Sequence, residues 1–113
     1  MIGGTVTAEL QMRTTVKNEI GESVKQWSTI QRITGWLDYQ SGDSKYTSFS
    51  TKAQESTHVF VADYVTIDPR IVPENSRMKV NGKVYDVLLI DNPMELNKQL
   101  EIYLNFTGAN VNG

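Results

Sequence analysis

The chain has 113 residues, which fits a single domain (residues 1–113), and its 39% hydrophobic and 21% charged residues are typical of a folded protein. It contains no cysteine, which excludes disulfides and thiol catalysis, and its net charge of −2 without a concentrated basic stretch argues against a tight nucleic-acid binder. No segment is long and apolar enough to span a membrane and the N-terminus lacks a signal-peptide pattern, so we expect a cytoplasmic protein without membrane contact.

Two long strands are predicted in the first third of the chain. From Thr5 to Lys17 the even positions are mostly apolar and the odd positions polar, so the even face of this strand should point inward. After a turn at residues 18–23, strand-forming residues continue from Val24 to Tyr39. The apolar positions of this second strand change parity along its length, which favours a bulge or bend near Gly35.

The segment from Gln40 to Ser56 has a different character. It contains five serines, two threonines and only two large apolar residues, Tyr46 and Phe49. Segments of this length without regular structure are usually functional or disordered. We therefore predict a long mobile loop over residues 40–56, between the second and third strands.

A hairpin is the clearest local signal in the second half. A third strand is predicted from Thr57 to Tyr64, and prolines 69 and 73 predict an irregular connection after it. The dipeptide Asn81-Gly82 then supplies the two positive φ angles of a type I′ turn within residues 77–91. The resulting register places three pairs opposite one another: Val80 with Lys83, Met78 with Tyr85, and Arg77 with Asp86.

A last alternating strand runs from Leu100 to Phe106, and the small polar residues 108–113 predict a flexible tail. About six strands separated by turn signals are typical of an all-β fold, here a small β-barrel. The alternation predicts this core: Val6, Leu10, Met12, Trp36, Val87, Leu89, Leu100, Ile102, Leu104 and Phe106.

No catalytic constellation emerges from the residue types and spacings. His58, the only histidine, could act with Ser56 or Asp63, but nothing in the spacing makes three groups converge, and a surface or rim histidine is the favoured interpretation. The aspartates are scattered at strand ends and turns, where they more often cap backbone groups. Core packing is favoured for the tryptophans over a stacking platform for nucleic acid. We expect no catalytic, cofactor-binding or metal site, and hence no enzyme.

The order of these segments resembles a known family. An early strand leads into a Trp-containing hairpin, a long central loop follows, and the segments Thr57–Val61, Ile67–Arg70, Arg77–Val87 and Leu100–Leu104 complete the pattern. From about Leu10 to Phe106 the chain is similar to the head-completion or head–tail adaptor proteins of long-tailed bacteriophages, also called head-closure or stopper proteins.

The resemblance implies a non-enzymatic virion protein that is monomeric when isolated and forms a ring on assembly in the host cytoplasm. Its partners would be the portal or adaptor ring and the tail-completion protein, with transient contact to packaged double-stranded DNA. In some members the central loop lines or plugs the DNA exit channel. By that analogy four residues are candidates for the channel and assembly loop: Lys45, Tyr46, Phe49 and Lys52.

Other functions stay open at this point. A tail-completion protein of similar size is one alternative. A cellular β-barrel module that binds a peptide or an oligonucleotide is a second, and a small hydrolase is a more distant third. A preformed aromatic groove would favour the binding module, whereas broad lateral faces would favour a ring subunit.

Overall fold

The computed structural model describes residues 5–39 and 56–110. The described residues form six strands and two short 3-10 turns, Pro73–Asn75 and Pro93–Glu95. The strands are β1 (Val6–Lys17), β2 (Ser23–Tyr39), β3 (His58–Asp63), β4 (Ser76–Val80), β5 (Lys83–Asp91) and β6 (Gln99–Asn110). The all-β prediction is confirmed. Strand β6 extends past Gly108, where a tail was predicted to begin, and the predicted loop lies outside the described residues except for Ser56.

All six strands belong to one antiparallel sheet. Around the sheet the order is β1, β2, β3, β6, β5 and β4, and β4 pairs back onto β1. The strand pairings form a closed set, but the strands are not spaced evenly round an axis. Within this set, β1 and β6 are separated by two strands in either direction and therefore lie on opposite sides.

The β4–β5 hairpin has the predicted register. Arg77 pairs with Asp86, Met78 with Tyr85, and Val80 with Lys83. Asn81 and Gly82 have φ angles of 52° and 78°, the positive values that a type I′ turn requires. Local turn chemistry is therefore sufficient to set this part of the sheet.

The predicted irregularity in β2 exists but lies elsewhere. Leu10 pairs with Gln31 and Gln11 with Thr29, so Ile30 is an extra residue opposite β1, and the placement near Gly35 was wrong. Because one extra residue reverses the alternation, Trp27 lies on the outer face while Ile33 points inward. Gly35 has another role, since a Cβ there would collide with the backbone oxygen of Val61.

The buried residues form two clusters on opposite faces of the sheet. The larger, inside the closed sheet, includes Leu10, Phe60, Met78, Ile102 and Leu104. The smaller lies on the outer face and consists of Val59, Val61 and Tyr103, with Trp36 and Leu89 packed against it.

Most predicted core residues contact one of these clusters. Leu10, Val87, Leu100, Ile102 and Leu104 are buried, and Val6 and Met12 pack partly buried against the interior. Trp36 and Leu89 instead join the outer cluster. The prediction was wrong for Phe106, which is 39% exposed because it lies near the end of the sheet. It also missed Phe60, Met78, Tyr85 and Tyr103, which are buried.

One hairpin reaches beyond the closed part of the sheet. Strand β4 pairs with β1 only over Glu9–Met12, so in the described structure residues 13–17 pair with residues 23–27 and with no third strand. At the tip, the side-chain oxygen of Asn18 accepts hydrogen bonds from the backbone N–H groups of Ile20 and Glu22, at 3.1 and 2.9 Å. We call residues 13–27 the arm and the rest of the sheet the body.

Candidate functional site

The four residues predicted for the channel and assembly loop, Lys45, Tyr46, Phe49 and Lys52, lie outside the described residues. The described residues present three other features with a distinct chemistry. One is an aromatic rim where β2 ends and β3 begins. The other two are charged surfaces on opposite outer sides of the sheet.

The aromatic rim surrounds His58. Its imidazole contacts the rings of Tyr39, Tyr85 and Phe106 edge-on, with centroid distances of 5.4, 5.1 and 6.5 Å. The Tyr85 and Phe106 rings are 5.4 Å apart. Tyr39 is 74% exposed whereas Tyr85 is buried, so the cluster extends from the end of the interior to the solvent.

His58 is a rim histidine, as the sequence indicated. Partial burial, followed by the nearby charge of Lys83, lowers the pKa of His58 and favours the neutral imidazole. Its Nδ1 lies 2.8 Å from the hydroxyl of Thr57, which accepts a hydrogen bond from the backbone N–H of Phe106 at 2.9 Å. Asp63 lies at the other end of β3 and on the opposite face, so the structure does not assemble a His–Asp pair.

The first charged surface covers the outer face of β4, β1 and the first half of β2. Cross-strand pairing sets Lys79 and Arg32 on either side of Glu9, and Arg77 beside Gln11. The arm continues the same face. Six cations therefore share it with Glu9 and Asp86 on the strands and with Glu19 and Glu22 at the arm tip; the cations are Arg13, Lys17, Lys25, Arg32, Arg77 and Lys79. We call this surface the basic face.

Trp27 is at the centre of the basic face, which corrects its predicted place in the core. The guanidinium carbon of Arg77 lies 4.4 Å from the Trp27 ring centroid, and that of Arg13 lies 5.8 Å away. Arg77 Nε donates a 2.8 Å hydrogen bond to Gln11 Oε1, which holds the guanidinium against the indole. Desolvation lowers the pKa of Arg77, but an arginine remains charged in this setting.

The second charged surface lies on the outer face of β3, β6 and β5. Asp91 pairs with Glu101 across β5 and β6, and Asp63 pairs with Gln99 across β3 and β6. Glu101 accepts 2.8 Å hydrogen bonds from the Tyr103 hydroxyl and from Gln99 Nε2, so its carboxylate is held in place. We call Asp63, Asp91, Gln99 and Glu101 the acidic face; it borders the outer apolar cluster, and Lys98 flanks it in the turn before β6.

Sequence reasoning missed both charged surfaces. Arg13 and Arg77 are far apart in the chain, and only the pairing of β1 with β4 brings them to the same indole. The signal that could have found them is the odd-position polar face of β1 combined with the charged positions of the β4–β5 hairpin. In the described part of the chain, no group of three or more potential ligands could hold a metal ion. No described helix has the length and apolar character to cross a membrane.

Among the described residues, His58 contacts aromatic rings and a threonine hydroxyl, and two charged surfaces lie on opposite outer sides of one closed sheet. Comparison with known proteins gives the family of the chain. The family model described as phage head completion protein matches residues 5–104. The chain belongs to this family, and it is a structural protein of the phage head, located in the virion.

Two solved structures share the fold. The solution structure of protein SF1141 from Shigella flexneri 2a aligns with a TM-score of 0.64 and 17% identity, over 96% of this chain and 98% of that one. A chain from the virion of a native gene transfer agent particle aligns with a TM-score of 0.52 and 13% identity, over 87% and 89%. A search among curated proteins gives no significant match. The family match favours the head-completion interpretation over a cellular binding module.

Proposed function

We propose that this protein forms a ring at the head–tail connector, where it closes the DNA exit channel and provides the platform for tail attachment. The observation that carries this proposal is the family match over residues 5–104. A structural role without catalysis is consistent with it, since His58 contacts aromatic side chains and a threonine hydroxyl rather than a carboxylate. In this proposal the closed sheet works as a small barrel that holds lateral surfaces at fixed angles.

Three partners follow from that position. The ring would dock on the portal or adaptor ring on one side and receive the tail-completion protein on the other. Packaged double-stranded DNA would contact the ring only transiently. A channel through which DNA must slide gains from weak contact, because each neutralised phosphate adds salt-dependent affinity.

The loop of residues 40–56 is proposed to contact the channel and the neighbouring copies. Tyr39, the last described residue before it, pairs with His58 after it, and their ring centroids are 5.4 Å apart at the aromatic rim. The two lysines of the loop, Lys45 and Lys52, are matched by Asp43 and Glu55, which limits its attraction to phosphates. Tyr46 and Phe49 are its large apolar side chains and the ones able to anchor it to a neighbour.

Removal of the protein from the phage tests the function. Without it, heads should package DNA and then lose it or fail to join tails, and supplying the protein in trans should restore infectious particles. Electron microscopy and nuclease protection of the packaged genome measure the two steps. If the heads are unfilled, the protein acts before DNA packaging. If the particles are filled and carry tails, the protein is not required for head closure.

The double variant Tyr46→Ser/Phe49→Ser tests the loop separately. We expect the free energy of unfolding of the isolated protein to change little, while particles leak DNA or fail to join tails. Thr47→Ser/Thr51→Ser in the same loop is the matched control and should assemble normally. Unfolding of the double variant together with normal assembly would assign Tyr46 and Phe49 to packing rather than to the channel.

A further inference from the structure

We propose that neighbouring copies in the ring join by docking the basic face of one copy, centred on Trp27, onto the acidic face of the next. This inference rests on the proposed ring and names the surfaces that build it. The partner is thus a second copy of this chain.

The first argument is the position of the two faces. The basic face is carried by β4, β1 and β2, and the acidic face by β3, β6 and β5. Because β1 and β6 are on opposite sides of the closed sheet, a copy that offers one face to its left-hand neighbour offers the other to its right. Such a head-to-tail contact closes into a ring when the rotation between copies allows it.

The second argument is charge complementarity. The basic face has an excess of four positive charges on its strands, and of two when Glu19 and Glu22 at the arm tip are included, whereas the outer side of β3, β6 and the second half of β5 carries Asp63, Asp91 and Glu101, with Lys98 in the adjacent turn. The whole chain carries 11 basic and 13 acidic residues, so this separation is a property of the fold and not of the composition. Opposed fields of this kind orient partners and exclude like-with-like contacts.

The third argument is the chemistry at the centre of each face. Arg13 and Arg77 lie over an indole, and Trp and Arg are the residue types that contribute most to protein interfaces. Guanidinium groups held by an aromatic ring bind carboxylates in defined geometry. Glu101 offers such a carboxylate, already oriented by Tyr103 and Gln99. An ordered acceptor loses less side-chain freedom when it binds.

Charge reversal and restoration test the pairing in assembled particles. Arg13→Glu/Lys25→Glu changes the net charge of the basic face, arm tip included, from +2 to −2, and Asp63→Lys/Asp91→Lys changes that of the acidic face from −3 to +1 while leaving Glu101 intact. Each double variant should lower the titre of infectious particles by at least about tenfold, since like charges then oppose each other across the contact. The quadruple variant restores opposite signs and should recover most of the loss. Lys83→Glu and Glu74→Lys, off both faces, are controls with a charge change of the same sign and half the size, and should assemble normally.

Recovery in the quadruple variant is the decisive result, because a variant that merely unfolds cannot be rescued by further substitutions. Each double variant is also checked for an unchanged melting temperature as isolated protein. If the basic-face variant fails and the quadruple variant fails equally, the basic face contacts DNA or another protein, and the copy-to-copy pairing is overturned. Normal assembly of both double variants overturns it as well.

Cross-linking gives an independent readout. The chain has no cysteine, so Thr15→Cys and Gln99→Cys introduce one thiol on each face without removing a charge. A short bis-maleimide applied to virions should give a ladder of multimers with the double variant and none beyond dimers with either single variant. Absence of a ladder from virions that retain DNA and tails overturns the pairing alone. If particles lacking the protein also retain DNA and tails, the proposed function fails separately.

Discussion

The arm and the body are built from the same two strands but are stabilised differently. In the body, β1 pairs with both β2 and β4, and its inward residues Ala8 and Leu10 are fully buried. In the arm, each strand has the other as its partner over the described residues, and Ile20 at the tip is 80% exposed. A two-stranded hairpin without a packed face is marginally stable in water.

This difference indicates that the body provides most of the folding stability and that the arm provides surface for contacts with other molecules. Residues of the body are fixed by burial, so their identity is constrained by packing. Residues of the arm bury little surface, yet the arm keeps Lys17 and Lys25 in line with Arg13 on the basic face. Changes in the body should therefore alter the free energy of unfolding, and changes in the arm should alter assembly.

The largest expected effect is a cavity in the body. Leu104 is fully buried in the interior cluster, so Leu104→Ala should lower the free energy of unfolding by about 2–5 kcal/mol. Ile20→Ala in the arm removes an exposed aliphatic side chain and should change it by no more than about 0.5 kcal/mol. Denaturant titration of both variants measures the contrast. Similar losses for the two would show that the arm is as strongly coupled to folding as the body.

Two glycines with similar positive φ angles allow the body and the arm to be compared directly. Gly82 in the body and Gly21 at the arm tip have φ angles of 78° and 83°, and an added Cβ would touch nothing within 4 Å at either position. Gly82→Val should destabilise the protein by roughly 1 kcal/mol or more, because a β-branched residue resists positive φ. Gly21→Val should cost less, since the arm can fray and relieve the strain. An equal shift in the denaturation midpoint would contradict this order.

The smallest effect concerns pH and the aromatic rim of the body. The folded state lowers the pKa of His58 below its ordinary value of 6.5, so the unfolded chain takes up a proton more readily. The His58 contribution to stability is therefore fully present above that value and declines as the pH falls below it. His58→Phe keeps an aromatic ring and should flatten the change in melting temperature between neutral and mildly acidic pH. An unchanged pH dependence would mean that another group governs it.

The sequence was sufficient wherever local chemistry decides the structure. Alternation in β1 predicted its inward face, and Asn81-Gly82 predicted both the turn and the register of the β4–β5 hairpin. Phe106 shows the limit of alternation. It has the inward parity of its strand, but it lies beside Tyr85 near the open end of the interior, where solvent reaches it. The position of a residue in the alternation predicts which face of the sheet its side chain is on, whereas how deeply the side chain is buried depends on the neighbouring strands.

The charged faces could not be predicted in the same way. The contact of Arg77 with Trp27 depends on the pairing of β4 with β1 and on the position of the β2 bulge. Both are tertiary features. The general expectation that the tryptophans pack in the core was wrong for Trp27, and the glycine at position 35 is explained by its close approach to Val61 and not by a bulge. The family resemblance, which uses segment order and not pairing, was confirmed by the match over residues 5–104.

The bulge at Ile30 also limits how the length of this hairpin can vary among related chains. Residues can be inserted or deleted in the tip, residues 18–22, without altering the side on which the remaining arm residues stand. If the bulge were lost with all residues kept, so that Gln11 paired with Ile30, Trp27 and Lys25 would transfer to the opposite side of β2, whereas deletion of Ile30 itself would leave Trp27 opposite Arg13. Alignment gaps in functional relatives should therefore collect at the tip or at the bulge and avoid the rest of the arm.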